Sequence, residues 1–252
     1  MITDPLFYCA AIPAILLMGI SKGGFGSGVG ILATPLVALT VPTAQAAAIL
    51  LPILIAMDAT GLWAYRRTWS RENLKLLLPG GLFGVVVGAL VFRYASEAMV
   101  RLAIGGIALV FVAHRLRLDP ARAAARAVSA PKGIFWSAVS GLTSTLAHAG
   151  GPPLNVYLFP LKLEKAVFVG TTVFFFAVIN AAKVAPYLWL GLLDRANVST
   201  SLVLLPLAPA GILLGVACMK RLSQEMFYRI CYGALVLVGA KMVWDGARGL
   251  AA

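Results

Sequence analysis

The sequence predicts an all-α polytopic membrane protein with two related halves, and three observations support this fold class. Of its 252 residues, 61% are hydrophobic and only 12% are charged, with a mean hydropathy of +0.92, whereas a soluble domain carries about 25% charged residues. Apolar runs long enough to cross about 30 Å of hydrocarbon recur along the chain. These runs are continuous and do not alternate with polar residues, so helices and not a β-barrel are expected. A polar stretch near the middle separates two sets of runs.

Eight hydrophobic units are expected, and the first and fifth contain a break. In chain order the units cover residues 6–41, 43–65, 74–92, 97–114, 133–161, 166–190, 198–219 and 227–248. Five basic residues and one acid make the stretch between the fourth and fifth units strongly positive. We therefore predict a first membrane repeat over residues 1–114, a basic cytoplasmic linker over 115–132 and a second membrane repeat over 133–252.

Sliding one half along the other supports the repeat. An offset of 122 residues, from position 19 to position 141, pairs glycine with glycine and also pairs Asp58 with Asn180. An offset of 127 residues, from position 84 to position 211, pairs Pro79 with Pro206 and several further glycines. Ordered matches that span both halves indicate an internal repeat, as many transporters have.

The positions of Lys and Arg predict the topology. The positive-inside rule places the linker in the cytoplasm, together with Arg66, Arg67, Arg71 and Lys75. Each half would then contain a Gly-broken helix or re-entrant hairpin followed by three transmembrane helices, with the two halves inverted and the C-terminus outside. If each interrupted segment crosses the membrane once, the halves are parallel instead, and the sequence leaves this alternative open.

The two breaks predict a binding site. Residues 22–30 read KGGFGSGVG, and glycine costs about 1 kcal/mol per residue against alanine inside a helix. Residues 148–153 read HAGGPP, where the prolines suit the first turn of a new helix. At membrane depth a broken backbone is tolerated where it lines a cavity, and two half-helix N-termini meeting there would suit an anion. Close helix packing through small residues is the alternative for both motifs.

Three charged residues lie inside apolar runs, where a charge costs roughly 2.5–3.5 kcal/mol at a helix centre. Lys183 lies about one turn after Asn180, so it could balance a bound anion or pair with Asp58. Asp58 and Asn180 form the candidate coupling pair, in which the carboxyl takes up a proton during transport; a structural ion pair is the alternative. Lys22 could bind the anion or extend to a headgroup, and His148 could relay protons or serve packing.

Neutral hydrogen-bond donors surround the breaks and could contact an oxyanion, although Ser and Thr also bond to their own helix. They are Ser21, Ser27, Thr143, Ser144, Thr145 and Asn155.

Several functional classes are disfavoured. The basic residues behind the formal charge of +12 lie between apolar runs, where they indicate membrane topology. We therefore expect no nucleic-acid partner. The three cysteines show no CxxC or Cys/His spacing, and no GxxxxGK[ST] motif occurs. We therefore expect no metal, no cofactor and no direct use of ATP. With no HExxH motif, we expect no enzyme either.

Three segments resemble the TauE/SafE family of sulfite exporters over nearly the whole chain: GISKGGFGSGVGILATPLVAL, LPGGLFGVVVGALV and GLTSTLAHAGGPPLNVYLFPLK. The resemblance implies a bacterial inner-membrane permease for sulfite, thiosulfate, sulfoacetate or related anions. The second repeat of the family often carries a GxGGG-like run, where this chain has LAHAGGPP. The positions that match the family motifs are Lys22, Gly23, Gly26, Gly28, Gly30 and Pro35, with Gly150, Gly151 and Pro152 in the second half.

Together these features predict a secondary transporter, most simply an exporter, that moves small sulfur-containing anions by alternating access around a midplane site. The candidate substrate-binding residues are Lys22, Gly23, Gly26, Ser27, Gly28, Gly30, Thr145, His148, Gly150, Gly151, Pro152, Asn155 and Lys183. An anion channel, an importer of a different small anion and a structural subunit are the alternatives. The sequence does not decide the anion, the direction, the coupling ion or the oligomeric state, a homodimer included.

Overall fold

The computed structural model describes residues 1–22, 30–117, 128–218 and 224–251, and these residues form helices joined by short turns. Their bounds are α1 Pro5–Ile20, α2 Ala33–Val37, α3 Thr43–Tyr65, α4 Arg71–Tyr94, α5 Glu97–Arg117, α6 Ala130–Ala147, α7 Gly151–Leu158, α8 Lys165–Trp189, α9 Arg195–Leu204, α10 Leu207–Cys218 and α11 Gln224–Ala251. A 3₁₀ turn, Gly30–Leu32, precedes α2, and another, Phe159–Leu161, follows α7.

Local sequence explains where several helices begin. The side chains of Asp4, Ser70 and Asp194 each accept a hydrogen bond from a backbone amide in the first turn of α1, α4 and α9, which satisfies a donor that has no partner within the helix. Helices α1, α6 and α7 carry proline in their first two positions, where its missing amide costs nothing.

The chain is a polytopic membrane protein, as its helices and their apolar composition predict. Within the described residues, three helices are long and apolar enough to cross a bilayer: Thr43–Trp63, Arg71–Tyr94 and Ala166–Trp189. The pair α9 and α10 would make a fourth crossing despite a bend of 40°. The expected single helix over 198–219 is therefore wrong in this respect. The break falls at Pro206, which cannot donate the amide hydrogen bond of a continuous helix.

A contact between the start of α6 and the end of α7 shows that these two helices form a hairpin. Gly133, at the start of α6, lies against the ring of Tyr157 near the end of α7. The chain thus enters, turns at His148 and returns to the same end of the bundle. We call this end the linker face; it also holds the start of α4, because Gly80 lies against Ile134 of α6.

The N-terminal segment forms a second hairpin from the opposite end. The amide of Ile2, just before α1, donates to Thr200 Oγ1 at 3.0 Å, and Gln45, just after the start of α3, donates to Asn197 Oδ1 at 2.8 Å. Both acceptors lie in the first two turns of α9, so α1 starts and α2 finishes near one end of the bundle. We call it the N-terminal face.

The remaining helices alternate in direction between these faces. Helices α3 and α8 are antiparallel, because Tyr187 packs against Ala47 while Gly61 lies against Val173. Helices α5 and α11 are also antiparallel, with Phe111 beside Tyr232 and Arg101 beside Asp245. Helices α4 and α6 run parallel. Helix α1 runs in the direction of α9 and α10, because Ile2 contacts Thr200 of α9 and Gly19 lies against Gly211 of α10.

The hairpin of α1 and α2 therefore starts from the N-terminal face, and the hairpin of α6 and α7 starts from the linker face. The tips of the two hairpins meet inside the bundle, and this meeting point positions the candidate site.

Candidate functional site

The hairpin tips share a cavity of about 60 Å³, and since a water needs about 10–15 Å³ of such space, it has room for a few waters or a small anion. Both tips and the facing helices α3 and α8 form its wall. The lining residues are Met18, Ser21, Lys22, Gly30, Ile31, Leu54, Ser144, His148, Ala149, Gly151, Pro152, Phe176 and Asn180.

Asp58 of α3 lies beside this cavity and is held by both halves of the chain. Lys22 Nζ donates to Asp58 Oδ1 at 2.5 Å, and Asn180 Nδ2 donates to Asp58 Oδ2. Because both carboxyl oxygens accept hydrogen bonds, the arrangement is that of an ionised carboxylate. Asp58 is 5% exposed and is the one buried acid among the described residues, whereas the Lys22 side chain remains 27% exposed.

Lys183 is fully buried and reaches the second hairpin tip from α8. Its Nζ donates to the carbonyl and to Oγ of Ser144, both at 3.1 Å, and lies 2.9 Å from His148 Nδ1. His148 Nε2 lies 2.8 Å from the carbonyl of Ala47 on α3, and a carbonyl only accepts, so this ring nitrogen carries a proton. Both ring nitrogens are therefore engaged by the protein, and His148 positions the tip instead of pointing a donor at the cavity.

The second tip is a tight turn fixed by its own side chains. His148 adopts a left-handed conformation with φ 52°, which ends α6 and which few residues other than glycine adopt. Ser140 Oγ donates to the carbonyl of Gly150 at 2.7 Å, and Thr143 Oγ1 donates to that of Ala149 at 3.2 Å. A Cβ at Gly150 would lie 2.7 Å from the Ser140 carbonyl oxygen, so this position requires glycine.

The helix termini contribute less to the site than the sequence predicts. The expected half-helix after the first break is a 3₁₀ turn followed by the five residues of α2, which align few peptide dipoles. Helix α7 has eight residues, and Pro152 and Pro153 in its first turn have no amide to donate. Positive charge at the cavity therefore comes mainly from Lys22 and Lys183.

The structure brings six of the predicted substrate-binding or coupling residues to the cavity wall: Lys22, Gly30, His148, Gly151, Pro152 and Asn180. Asp58 and Lys183 lie directly behind that wall through the contacts given above. Gly23, Gly26, Ser27 and Gly28 lie outside the described residues.

Other predicted residues serve the scaffold. Thr145 donates to the Gly141 carbonyl within α6, and its own carbonyl accepts from Tyr187 at 2.6 Å. Asn155 is 7% exposed on α7, and Gly150 forms the turn. Neither lines the cavity, and Pro35 is buried in α2.

Phe176 also lines the cavity, although no sequence pattern predicted it. It precedes Asn180 by one helical turn, and residues four apart share a helix face. That spacing could have identified it. Tyr187 follows Lys183 at the same interval and is fully buried, with its hydroxyl on the second hairpin.

The family model described as "Sulfite exporter TauE/SafE" matches residues 11–242. The chain belongs to the TauE/SafE family. The family resemblance predicted from the sequence is thus confirmed, as is the prediction that the chain is a membrane transporter and not an enzyme.

One curated TauE/SafE relative extends this result. The chain is 25% identical over 224 residues to the "Probable sulfite/organosulfonate exporter TauE" of Cupriavidus necator, covering 87% of this chain and 86% of the relative. No solved structure matches the chain.

Proposed function

We propose that this chain exports small sulfur-containing anions, such as sulfite or organosulfonates, by alternating access around the cavity between the two hairpin tips. One observation carries the proposal. Two hairpins that enter the bundle from opposite faces share a cavity at their tips, with Lys22 at the first tip and Lys183 behind Ser144 of the second tip. The name of the Cupriavidus necator relative supports the substrate class.

We further propose that the two halves are inverted repeats. The antiparallel pair α3 and α8 supports this, because Asp58 and Asn180 are each the sixteenth residue of their helix and contact each other. Equivalent residues in contact are expected on a twofold axis. The other pairings agree, since exchanging the halves converts the pair α1 and α10 into the pair α6 and α4.

This arrangement suits alternating access, in which equivalent units exchange conformations around a fixed site. Each hairpin packs along a helix of the opposite half, so movement of one hairpin changes access from its own face. With the basic linker in the cytoplasm, the second hairpin would open to the inside and the first to the outside of the bacterial inner membrane.

Asp58 is the residue proposed to couple transport to protons. In the present arrangement its carboxylate forms an ion pair with Lys22. An incoming anion would pair with the same lysine. Protonation of Asp58 would remove its charge and release Lys22 for the anion. The net flux of the anion, carried together with the proton on Asp58, would then respond to the proton gradient.

Counterflow in liposomes tests the function. Liposomes containing the purified protein would be loaded with sulfite, and sulfite, sulfate, thiosulfate, sulfoacetate or taurine would be added outside. We expect rapid exchange of the anionic sulfur compounds, abolished in Lys183→Met and retained in Lys241→Met, since Lys241 is an exposed lysine paired with Asp245 on α11. Exchange no faster than in protein-free liposomes would reject the proposal, and currents at channel rates would replace transport with conduction.

A further inference from the structure

We propose that the net charge of the site selects the charge state of its cargo: a monoanion binds to the site as it stands, and a dianion binds together with one proton on Asp58. This inference rests on the proposed function, because it assumes that anions enter the cavity between the hairpin tips. It adds a rule for which anions need a proton and which do not.

The charges at the site are few and can be counted. Lys22 and Asp58 form an ion pair and cancel. Lys183 is the other buried charge among the described residues, and His148 is its neighbour. Asn180 and Ser144 are neutral, and residues 23–29 contain no ionisable side chain.

Hydrogen bonding limits Lys183 and His148 to a single positive charge. His148 Nε2 must carry a proton to donate to the Ala47 carbonyl. Between His148 Nδ1 and Lys183 Nζ, at 2.9 Å, only one partner can donate. If the ring and the amine were both fully protonated, two donors and two like charges would face each other. Lys183 Nζ also donates to the carbonyl and to Oγ of Ser144, so its three acceptors match the three N–H donors of an ammonium. We therefore assign one positive charge to this pair and, because Lys22 and Asp58 cancel, one to the described part of the site.

Burial makes this charge decisive. A net charge in a poorly solvated cavity is costly, so the occupied site is most stable when cargo and protein charges cancel. One negative charge neutralises the site with Asp58 ionised. Two negative charges require two positive ones, which the site provides once Asp58 is protonated and Lys22 is released.

Asn180 suits both states of Asp58. Its amide now donates to Asp58 Oδ2. Rotating the amide by half a turn would place its carbonyl oxygen there, ready to accept a hydrogen bond from a protonated carboxyl. Asn180 is thus assigned as a positioning residue that stabilises the carboxyl before and after proton uptake.

Two probes separate protonation of the protein from protonation of the cargo. Sulfate is a dianion and methanesulfonate a monoanion between about pH 5 and pH 8, unlike sulfite, which itself titrates. Equilibrium binding to the purified full chain would be measured by calorimetry across this range. We expect the Kd for sulfate to fall by up to about tenfold per pH unit as pH decreases, the limit for one linked proton, and the Kd for methanesulfonate to stay within about twofold.

Proton counting provides a measurement on the unmodified protein. Heats measured in buffers of different ionisation enthalpy should show uptake of up to one proton with each sulfate and none with methanesulfonate. Asp58→Asn should bind sulfate at neutral pH more tightly than the unmodified chain and without pH dependence, because the amide mimics a neutral carboxyl. Asp245→Asn also removes a lysine-paired aspartate, but one on α11 that contacts Arg101 of α5 and does not line the cavity. It is the matched control and should retain the pH dependence.

Equal pH dependence for both probes, or no proton uptake with sulfate, would overturn the charge rule while leaving anion transport in place. Failure of both probes and of sulfite to bind at all would instead reject the proposed function.

Discussion

The two hairpins bring positive charge to the same cavity by different routes. On the first hairpin, Lys22 belongs to the tip itself and reaches outward to Asp58 on α3. On the second, the tip residue is the neutral Ser144, and Lys183 reaches inward from α8 to bond to it. The first lysine is partly exposed and already paired with an acid, whereas the second is fully buried among neutral groups.

This difference follows the proposed repeat position by position. At the offset of 122, Lys22 corresponds to Ser144, and Lys183 corresponds to Gly61. A Cβ at Gly61 would lie 2.9 Å from the Val173 side chain, so α3 has little space for a lysine there. Each hairpin tip thus has one cation beside it, but the helix that supplies the cation differs between the halves. Lys183 supplies the charge that no acid cancels, and Lys22 supplies the charge that Asp58 controls.

Replacing Lys183 should have the largest effect on anion affinity. Lys183→Met keeps the length of the side chain but removes the charge from the site, and hydrogen bonds to charged groups contribute about 1.5–3 kcal/mol each. We expect anion affinity to fall about a hundredfold or more, since about 1.4 kcal/mol corresponds to a factor of ten. Equilibrium binding of sulfite measures this loss. Lys241→Met, in which the lysine is exposed, is the control, and equal effects of the two substitutions would contradict the role of Lys183.

Exchanging Asp58 and Asn180 tests whether the halves meet at equivalent positions. Asp58→Asn alone removes the proton-binding group, and Asn180→Asp alone places two carboxyls side by side, which disfavours ionisation of both. We expect sulfite exchange in liposomes to fall roughly thirtyfold in each single variant, about 2 kcal/mol. The double variant, with one carboxyl and one amide again facing each other, should return to within about fivefold of the unmodified rate.

Rescue by the double variant is the outcome that a purely structural ion pair would not give, because Lys22 would then lose its only described acidic partner on α3. If the double variant loses as much exchange activity as the two single variants combined, the positions of Asp58 and Asn180 are not equivalent.

The two parallel helix pairs should depend on glycines that let their backbones approach closely. A Cβ at Gly141 of α6 would lie 2.0 Å from the Gly81 carbonyl oxygen of α4, and one at Gly19 of α1 would lie 2.7 Å from Gly211 Cα of α10. We expect Gly141→Ala and Gly19→Ala to lower the free energy of unfolding by about 1–3 kcal/mol, as overpacking does. Gly106→Ala, which meets nothing within 4 Å, should be neutral or stabilising by up to about 1 kcal/mol. Denaturant unfolding in detergent measures all three.

His148 should have the smallest effect, because it positions the second tip without contacting the cargo. Asn tolerates the left-handed conformation of this residue, so His148→Asn should retain the turn and lose the ring contacts to Lys183 and Ala47. We expect a fivefold loss of sulfite affinity, about 1 kcal/mol, with little change in stability. A loss as large as that of Lys183→Met would mean that the imidazole binds the anion directly.

Sequence patterns predicted the helices well where one long apolar run lies between clear punctuation. Helix α3 begins and ends at the predicted residues, because Pro42 precedes it and a basic turn follows it. The bend before α10 was not predicted, because proline also occurs inside α4 at Pro79, where the helix continues. Whether a proline bends a helix depends on how neighbouring helices satisfy the backbone, which the local sequence does not contain.

The candidate site was predictable in composition but not in pairing. Intramembrane charges and glycine-rich breaks identified Lys22, Asp58, Lys183 and His148. The sequence left open whether Lys183 pairs with Asp58, and the structure directs its ammonium to Ser144 and His148. That choice depends on how α8 is rotated against the second hairpin, a consequence of tertiary packing.

A bound anion located by its own scattering would show whether the two hairpin tips form the anion-binding site. Crystals of the full chain grown at acidic pH with selenate, a dianion of sulfate shape, would reveal selenium by anomalous scattering. We predict a peak in the cavity between the hairpin tips, within hydrogen-bonding reach of Lys22 and Ser144. A peak only at the ends of the bundle, or an empty cavity at saturating selenate, would contradict it.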